Sequence, residues 1–203
     1  MQLHHGRPTG WIEVICGPMF SGKTEELIRR VRLAQIARQR IQIFKHGSDV
    51  RYGETHLISH SDQRFVCEPV ATAEQILECI KDQTRVVGID EAQFFDVGIV
   101  DVCQKLADRG VRVLVAGLDQ DYRGQPFGPM PQLLSIAEFV TKSQAICMCC
   151  GGLGTKSQRL SRAENLVVVG AKDTYEARCR ACFDPDFSLA EEVTKATAAP
   201  AAR

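Results

Sequence analysis

An eight-residue glycine-rich segment, residues 17–24, constrains the fold of this chain more than any other feature of its sequence. It reads Gly-Pro-Met-Phe-Ser-Gly-Lys-Thr and fits the pattern G-x-x-x-x-G-K-[ST]. A β-rich run, Trp11 to Cys16, precedes it, and apolar residues at helical spacing follow it. This strand–loop–helix context predicts a loop whose backbone amides bind nucleotide phosphates. The predicted phosphate-binding residues are Gly17, Pro18, Met19, Phe20, Ser21, Gly22, Lys23 and Thr24.

Short apolar runs alternate with helical patterns along the first 144 residues. The runs predict strands at 11–16, 41–44, 86–90 and 111–116. Helices are predicted at 25–39, from Thr72, from Asp96 to Gly110 and around 133–138. Strands that alternate with helices form a parallel sheet with helices on both faces. The sequence therefore predicts an α/β fold, a P-loop NTPase-type parallel sheet flanked by helices, with a small C-terminal module.

Changes in composition divide the chain into four parts. We expect a flexible N-terminus at 1–9 and a P-loop nucleotide-binding α/β domain at 10–144. A zinc-binding module is expected at 145–187 and a disordered, alanine-rich tail at 188–203. Residues 45–63 are mostly polar, and we predict a long loop or hairpin there that acts as a lid.

Two adjacent acids mark the end of the predicted strand 86–90: Asp90 is its last residue, and Glu91 follows it. An Asp at the carboxyl end of a neighbouring strand can hold Mg²⁺, and the hydroxyl of Thr24 is a second Mg²⁺ ligand in such sites. Glu91 could orient a water molecule, which gives an ATPase, or accept a proton from a substrate hydroxyl, which gives a kinase. These residues predict phosphoryl transfer and leave the acceptor open.

Four cysteines form two C-x-x-C pairs, Cys147 with Cys150 and Cys179 with Cys182. Together they predict a tetrahedral zinc site that is structural, because four protein ligands leave no open position. Cys149 offers an alternative partner within the first pair, and Gly151 favours the wider pair because such turns need glycine. The other cysteines, Cys16, Cys67, Cys79 and Cys103, are interpreted as small core residues.

Composition excludes several classes of protein. Among 203 residues, 25 Lys and Arg balance 25 Asp and Glu, so the net charge gives no electrostatic reason to expect binding to nucleic acid or to an anionic membrane. The longest apolar runs are strand-sized, and no apolar signal core is found at the N-terminus. We therefore expect a cytoplasmic protein with no nucleic-acid or membrane partner. An odd number of cysteines, 9, argues against a disulfide framework.

Taken together, these motifs resemble those of type II thymidine kinases, the small zinc-containing P-loop class, and the bacterial branch most closely. The resemblance extends from about Gly10 to Phe183. It rests on the segments 10–24, 49–52, 90–95, 116–122 and 126–128 and on both cysteine pairs. It implies transfer of the ATP γ-phosphate to the 5′-hydroxyl of thymidine, with Mg²⁺, a structural zinc ion, a homotetramer and feedback by thymidine triphosphate. The alternatives from the residues alone are a small P-loop ATPase and, less favoured by the neutral charge, a zinc-ribbon nucleic-acid-binding protein.

The resemblance also implies roles for individual residues. Glu91 matches the general base, and the ATP-binding positions beyond the phosphate loop are Arg51, Asp90, Glu91, Ala92 and Gln93. The nucleoside pocket matches Met19, Phe94, Leu118, Tyr122, Phe127, Ser157, Leu166, Val168 and Tyr175. In the family the loop between the cysteine pairs, here 151–178, lies over the nucleoside like a lasso. Tyr122 and Ser157 stand where Phe and Thr are usual, so we expect deoxyuridine to be a secondary substrate.

Overall fold

A parallel six-stranded sheet forms the centre of the computed structural model, which describes residues 10–47, 56–58, 64–160 and 174–186. In chain order the strands are β1 (Trp11–Cys16), β2 (Ile41–His46), β3 (His56–Ile58), β4 (Arg64–Val66), β5 (Glu68–Val70), β6 (Val86–Asp90), β7 (Arg112–Gly117), β8 (Phe139–Lys142), β9 (Ala145–Ile146), β10 (Leu153–Gly154), β11 (Lys156–Arg159) and β12 (Tyr175–Arg178). The central sheet has the order β5-β2-β6-β7-β1-β8, and each of its pairings is parallel. Parallel pairing requires crossover connections, and helices provide most of them; the connection from β2 to β5 contains the β3–β4 pair instead.

Among the described residues, four α-helices cover the two faces of this sheet. They are α1 (Lys23–Ile36), α2 (Ala73–Cys79), α3 (Gly98–Asp108) and α4 (Met130–Ile136). Alternate residues of β1 face opposite sides: Val14 packs with the core of α2, α3 and α4, and Ile15 packs with that of α1. Burial on both faces explains why the strands are continuous apolar runs. The predicted α/β fold is confirmed.

The ends of the helices follow local backbone chemistry. Gly22 has a left-handed φ of 76° and is the N-cap of α1, so this helix begins two residues before its predicted start. The carboxylate of Asp96 accepts a hydrogen bond from Gly98 N at 2.8 Å at the start of α3. α2 has Thr72 as its N-cap, in agreement with the predicted start, and Gln75 Oε1 accepts a hydrogen bond from Ala71 N at 2.7 Å before this helix.

Small antiparallel pairs lie outside the central sheet. β9 pairs with β10, and β11 pairs with β12, within the predicted zinc module. β3, inside the segment 45–63 predicted to be a lid or hairpin, pairs with β4, which directly follows that segment. The rest of the predicted lid at 48–55 and 59–63, the N-terminus at 1–9 and the tail from residue 188 lie outside the described residues.

Three of the four remaining cysteines are core residues, as predicted: Cys16, Cys67 and Cys103 are buried. Cys79 is exposed, which makes that part of the prediction wrong. It is the last residue of α2, where the contacts with the core are made by Ile76 before it and Ile80 after it. Among the described residues, no helix is long and apolar enough to cross a membrane.

Candidate active site

The phosphate loop and the acidic pair lie at the same edge of the sheet. β6, β7 and β1 are parallel neighbours, so their carboxyl ends meet there. Residues 17–24 follow β1, Asp90 ends β6, and Leu118 follows β7. In open α/β sheets, ligands bind outside the carboxyl ends of the strands. The fold thus gathers the predicted chemical groups into one place.

The backbone of the phosphate loop depends on glycine at both ends. Gly17 has φ 140°, and a Cβ there would lie 2.3 Å from the carbonyl oxygen of Ser143. Within the loop, Phe20 has a left-handed φ of 64°, which is uncommon for a residue with a side chain. Strained conformations of this kind cluster at ligand-binding segments, where the surrounding structure fixes them.

Lys23 folds back over the loop. Its Nζ donates a hydrogen bond to the carbonyl oxygen of Pro18 at 2.7 Å, and Ser21 Oγ donates to the same oxygen at 2.7 Å. Burial lowers the pKa of Lys23, while the nearby charges of Glu91 and Asp90 oppose that shift. The ammonium group is thus held close to the loop and near both acids.

Asp90 is buried, and its carboxylate lies beside the hydroxyl of Thr24. Thr24 Oγ1 is 3.3 Å from Asp90 Oδ2. Burial, together with the charge of Glu91, raises the pKa of Asp90 to about 7. A hydroxyl and a carboxylate form an oxygen-only donor set, which fits Mg²⁺. A cation there would offset the cost of keeping this buried carboxylate ionised.

Glu91 follows at the start of a 3-10 helix, Ala92–Phe94. Its φ of 53° is left-handed, and its side chain is half-buried. The side-chain amide of Gln93 donates to Glu91 Oε2 at 2.6 Å, and Ala92, the first residue of the 3-10 helix, is buried. Glu91 therefore occupies a backbone conformation different from that of Asp90 and carries a fixed side-chain partner.

Aromatic side chains lie beside these groups. The rings of Phe94 and Phe127 meet edge to face, with centroids 5.8 Å apart. Tyr122 stacks on Arg159, whose guanidinium carbon is 3.5 Å from the centre of the tyrosine ring. Tyr175 is buried, and its hydroxyl accepts from Arg159 Nη2 at 2.8 Å.

Arg159 contacts the predicted pocket residues Tyr122 and Tyr175, and the sequence did not predict this role. It is 3% exposed and joins two of the predicted pocket tyrosines, one by its planar face and one by hydrogen bonds. Nothing in its sequence neighbourhood, Lys-Ser-Gln-Arg, distinguishes it from an ordinary surface arginine. Only the tertiary structure brings it between these rings.

Ser157 connects the C-terminal module to the phosphate loop. Its hydroxyl oxygen accepts a hydrogen bond from the backbone N–H of Met19 at 2.9 Å. Ser157 is 4% exposed and lies on β11. The predicted pocket residues Met19 and Ser157 are therefore in direct contact, although 138 positions separate them in the sequence.

The four predicted zinc ligands converge. The Sγ atoms of Cys147, Cys150, Cys179 and Cys182 all lie within 4.8 Å of one another. Zinc–sulfur bonds of about 2.3 Å in a tetrahedron place the sulfurs about 3.8 Å apart. The measured separation of Cys150 Sγ and Cys179 Sγ is 3.7 Å. The donor set and spacing therefore fit a zinc ion.

Local turns explain the choice of ligands. Gly151 has a left-handed φ of 73°, and its N–H donates to the carbonyl oxygen of Cys147 at 2.9 Å. This turn brings Cys150 back toward Cys147. Cys149 is exposed, and its Sγ lies 4.0 Å from a carboxylate oxygen of Glu176. Within the described part of the chain, Cys149 is not a member of the four-sulfur cluster.

Comparison with known proteins decides the family. A family model described as thymidine kinase matches residues 10–183. The chain belongs to the thymidine kinase family. It is 58% identical over 200 residues to a protein named thymidine kinase from Rhodothermus sp. (strain ITI 518), covering 98% of this chain and 93% of that protein. It is 51% identical over 177 residues to a thymidine kinase from Bdellovibrio bacteriovorus, covering 87% of each.

The resemblance to thymidine kinases that the motifs indicated is thus confirmed. Most of the side chains to which this resemblance assigns a role lie together at the carboxyl edge of the sheet. Three of them, Arg51, Leu166 and Val168, lie outside the described residues. Leu118 is half-buried directly after β7, and its N–H is bound by the side chain of Gln93.

Proposed function

We propose that this chain is an ATP-dependent thymidine kinase, which transfers the γ-phosphate of ATP to the 5′-hydroxyl of thymidine and releases ADP and dTMP. The observation that carries the proposal is the meeting, at one sheet edge, of a phosphate loop, an acidic pair and an aromatic pocket in a member of the thymidine kinase family. Such a product feeds nucleotide salvage for DNA synthesis.

In the proposed reaction, Glu91 accepts the proton of the 5′-hydroxyl. The 5′-oxygen then bonds to the γ-phosphorus, while the bond from that phosphorus to the β–γ bridging oxygen breaks and ADP leaves. Lys23 and the amides of the phosphate loop stabilise the negative charge on the phosphate oxygens. Thr24 and Asp90 would hold Mg²⁺, which neutralises part of the triphosphate charge when it is bound with ATP.

The nucleoside is proposed to lie among Phe94, Phe127, Tyr122 and Tyr175. A flat pyrimidine fits a narrow apolar slot and stacks on aromatic rings. Arg159 covers one face of Tyr122, so a base would stack on the other. We propose that Met19 and Ser157 lie near the 5-methyl group. Because Ser157 lacks the methyl of a threonine, deoxyuridine is expected to be a poorer but real substrate.

Further properties belong to the same proposal. Zinc is proposed as a structural ion at the four cysteines, supported by the sulfur spacing. We propose a cytoplasmic homotetramer under feedback control by thymidine triphosphate, which is what the family resemblance implies. Arg51, Leu166 and Val168 are proposed to contact the triphosphate or the nucleoside. We likewise propose that the nucleotide-binding domain ends at residue 144 and the zinc-binding module at residue 187.

The deciding experiment measures ADP release from ATP and Mg²⁺, with and without each deoxynucleoside. We expect release to require a nucleoside, with thymidine the best and deoxyuridine second. Hydrolysis that ignores every nucleoside would instead identify a P-loop ATPase in which Glu91 activates water. Glu91→Gln serves as the control, because it preserves size and hydrogen bonding but removes the base.

A further inference from the structure

Gln93 is a buried polar residue with two defined side-chain partners. It lies two positions after Glu91 in the 3-10 helix Ala92–Phe94 and is 2% exposed. The backbone N–H of Leu118 donates to Gln93 Oε1 at 2.9 Å. Gln93 Nε2 donates to Glu91 Oε2 at 2.6 Å. One side chain therefore joins the loop after β7 to the acid after β6.

The orientation of this amide follows from chemistry. A backbone N–H can only donate, so the atom facing Leu118 must be the oxygen of Gln93. The NH₂ group then faces Glu91 and donates to its carboxylate. Hydrogen bonds to an ionised acceptor are stronger than those between neutral groups. The backbone of Leu118 thus determines which end of the amide meets Glu91.

Two glycines leave room for Gln93. A Cβ at Gly128 would lie 2.3 Å from the carbonyl oxygen of Gln93. A Cβ at Gly117 would lie 2.9 Å from its Oε1. Real Cβ atoms avoid such distances, so the chain is built closely around this one glutamine. A tightly enclosed amide keeps a single rotamer.

We propose that Gln93 is a positioning residue that holds the carboxylate of Glu91 in the geometry needed to accept the proton of the acceptor hydroxyl. This inference rests on the proposed function, in which Glu91 is the general base. It assigns Gln93 a different role from the ATP contact that the family resemblance implies. The left-handed backbone of Glu91 is a strained conformation that its surroundings must maintain, and the Gln93 hydrogen bond is one such constraint.

The consequence is that Gln93 acts through Glu91. A base must lie within hydrogen-bond reach of the proton it removes, and a displacement of about 1 Å can cost roughly a hundredfold in rate. Removing the Gln93 amide should therefore lower kcat by about 10-fold to 100-fold. The KM values for thymidine and ATP should change by less than about twofold, because uniform binding is retained.

A double-mutant cycle tests this proposal. Gln93→Met is combined with Glu91→Gln, and kcat is measured at high enzyme concentration for all four proteins. Once the base is gone, losing its positioning residue should cost nothing more, so Gln93→Met should leave kcat of the Glu91→Gln enzyme unchanged. Gln93→Glu is a second variant. It keeps the size and the acceptor for Leu118 but, when ionised, lacks a donor for Glu91, and we expect a kcat loss at least as large.

Gln42→Met is the matched control. Gln42 is also a buried glutamine, 7% exposed, and its Oε1 accepts a hydrogen bond from Thr84 Oγ1 at 2.6 Å. It lies near the amino end of β2, whereas the candidate active site lies at the carboxyl ends of the strands. Its replacement should lower thermal stability without lowering kcat of the folded enzyme.

Equal kcat losses from Gln93→Met in both Glu91 backgrounds would overturn the proposal and leave the thymidine kinase assignment intact. A raised KM for ATP with unchanged kcat would overturn it in favour of an ATP contact. An unchanged kcat in Glu91→Gln would overturn both this proposal and the assignment of the base.

Discussion

The sheet domain and the cysteine module are held together by different forces. In the sheet, strands β1, β6 and β7 are almost wholly apolar and buried on both faces by helices. In the described part of the module, residues 145–160 and 174–186, four of the nine buried residues are polar. The buried set is Ala145, Cys147, Gly154, Ser157, Gln158, Arg159, Tyr175, Ala177 and Arg178. The described part of the module therefore has little hydrophobic core of its own.

The difference indicates how each part keeps its geometry. Burial of apolar surface stabilises the sheet, and its phosphate loop is held largely by hydrogen bonds of its own, from Lys23 and Ser21 to the carbonyl oxygen of Pro18. The module adds one hydrogen bond to this loop, from Met19 N to Ser157 Oγ. The module depends on hydrogen bonds, such as the two between the side-chain amide of Gln158 and the backbone of Asp184, and on a cross-link between its four clustered thiols. Small units with little core usually need a metal or a disulfide. The groups proposed to transfer the phosphate thus lie on the sheet domain, which has an apolar core. The loop proposed to cover the nucleoside, residues 151–178, belongs to the cysteine module, which needs a cross-link.

The largest expected effect tests whether the chemistry belongs to the sheet domain. Glu91→Gln should lower kcat by about 10²–10⁴, since general-base catalysis contributes that much. Binding of thymidine and of ATP should be retained, because the side chain keeps its size. Steady-state kinetics and calorimetric titration check both parts. A variant with nearly full kcat would place the base elsewhere.

The next effect tests the dependence of the module on metal. Cys179→Ser removes one of the four proposed zinc ligands, and we expect zinc content to fall and thymidine affinity to drop by about 10-fold or more, because such sites contribute folding energy. Affinity for a non-hydrolysable ATP analogue should change much less, since the phosphate loop belongs to the sheet. Metal analysis and titration of each ligand measure this contrast.

Cys149→Ser is the matched control for that variant. Cys149 lies two residues after a ligand but outside the four-sulfur cluster, so zinc content and thymidine affinity should stay at wild-type values. Equal losses of ATP and thymidine affinity in Cys179→Ser would mean that the two parts do not differ in the way proposed. Zinc loss in Cys149→Ser would mean that Cys149 replaces one of the four ligands.

A smaller effect is expected where the two parts touch. Ser157→Ala removes the hydrogen bond between Ser157 Oγ and Met19 N, which is worth about 1 kcal/mol or roughly fivefold in the KM for thymidine. Ser157→Thr keeps the hydroxyl and adds a methyl, so KM should stay low and the preference for thymidine over deoxyuridine should rise. Equal kinetics for the two variants would show that this hydroxyl does not connect the parts.

The same contrast explains what could be predicted from sequence. The phosphate loop is local, eight consecutive residues between a strand and a helix, and its glycines determine its backbone. The parallel sheet follows from apolar runs that alternate with helical patterns. The contact of Arg159 with Tyr122 and the link from Gln93 to Leu118 join positions that are distant in the chain, and no sequence pattern marks them. Cys79 was wrongly predicted to be buried, because apolar spacing does not show that α2 ends at Cys79 and that Ile76 and Ile80 contact the core in its place.

The smallest expected effect concerns the charged face of α1 in the sheet domain. Hydrogen bonds from Arg29 and Arg30 lower the pKa of Glu26 from 4.5 to about 2, although partial burial opposes the shift. An acid with a lowered pKa contributes stability above its unfolded pKa, and that stability is lost as the pH falls from about 4.5 toward 2. Partly exposed ion pairs contribute about 0.2–1 kcal/mol, so the free energy of unfolding of Glu26→Gln should be lower than wild type by that amount at pH 7 and nearly equal to it near pH 2. Urea unfolding at both pH values measures the difference, and 0.5 M salt should reduce it at pH 7. A deficit that persists unchanged at low pH would mean that Glu26 stabilises the helix by packing and not by charge.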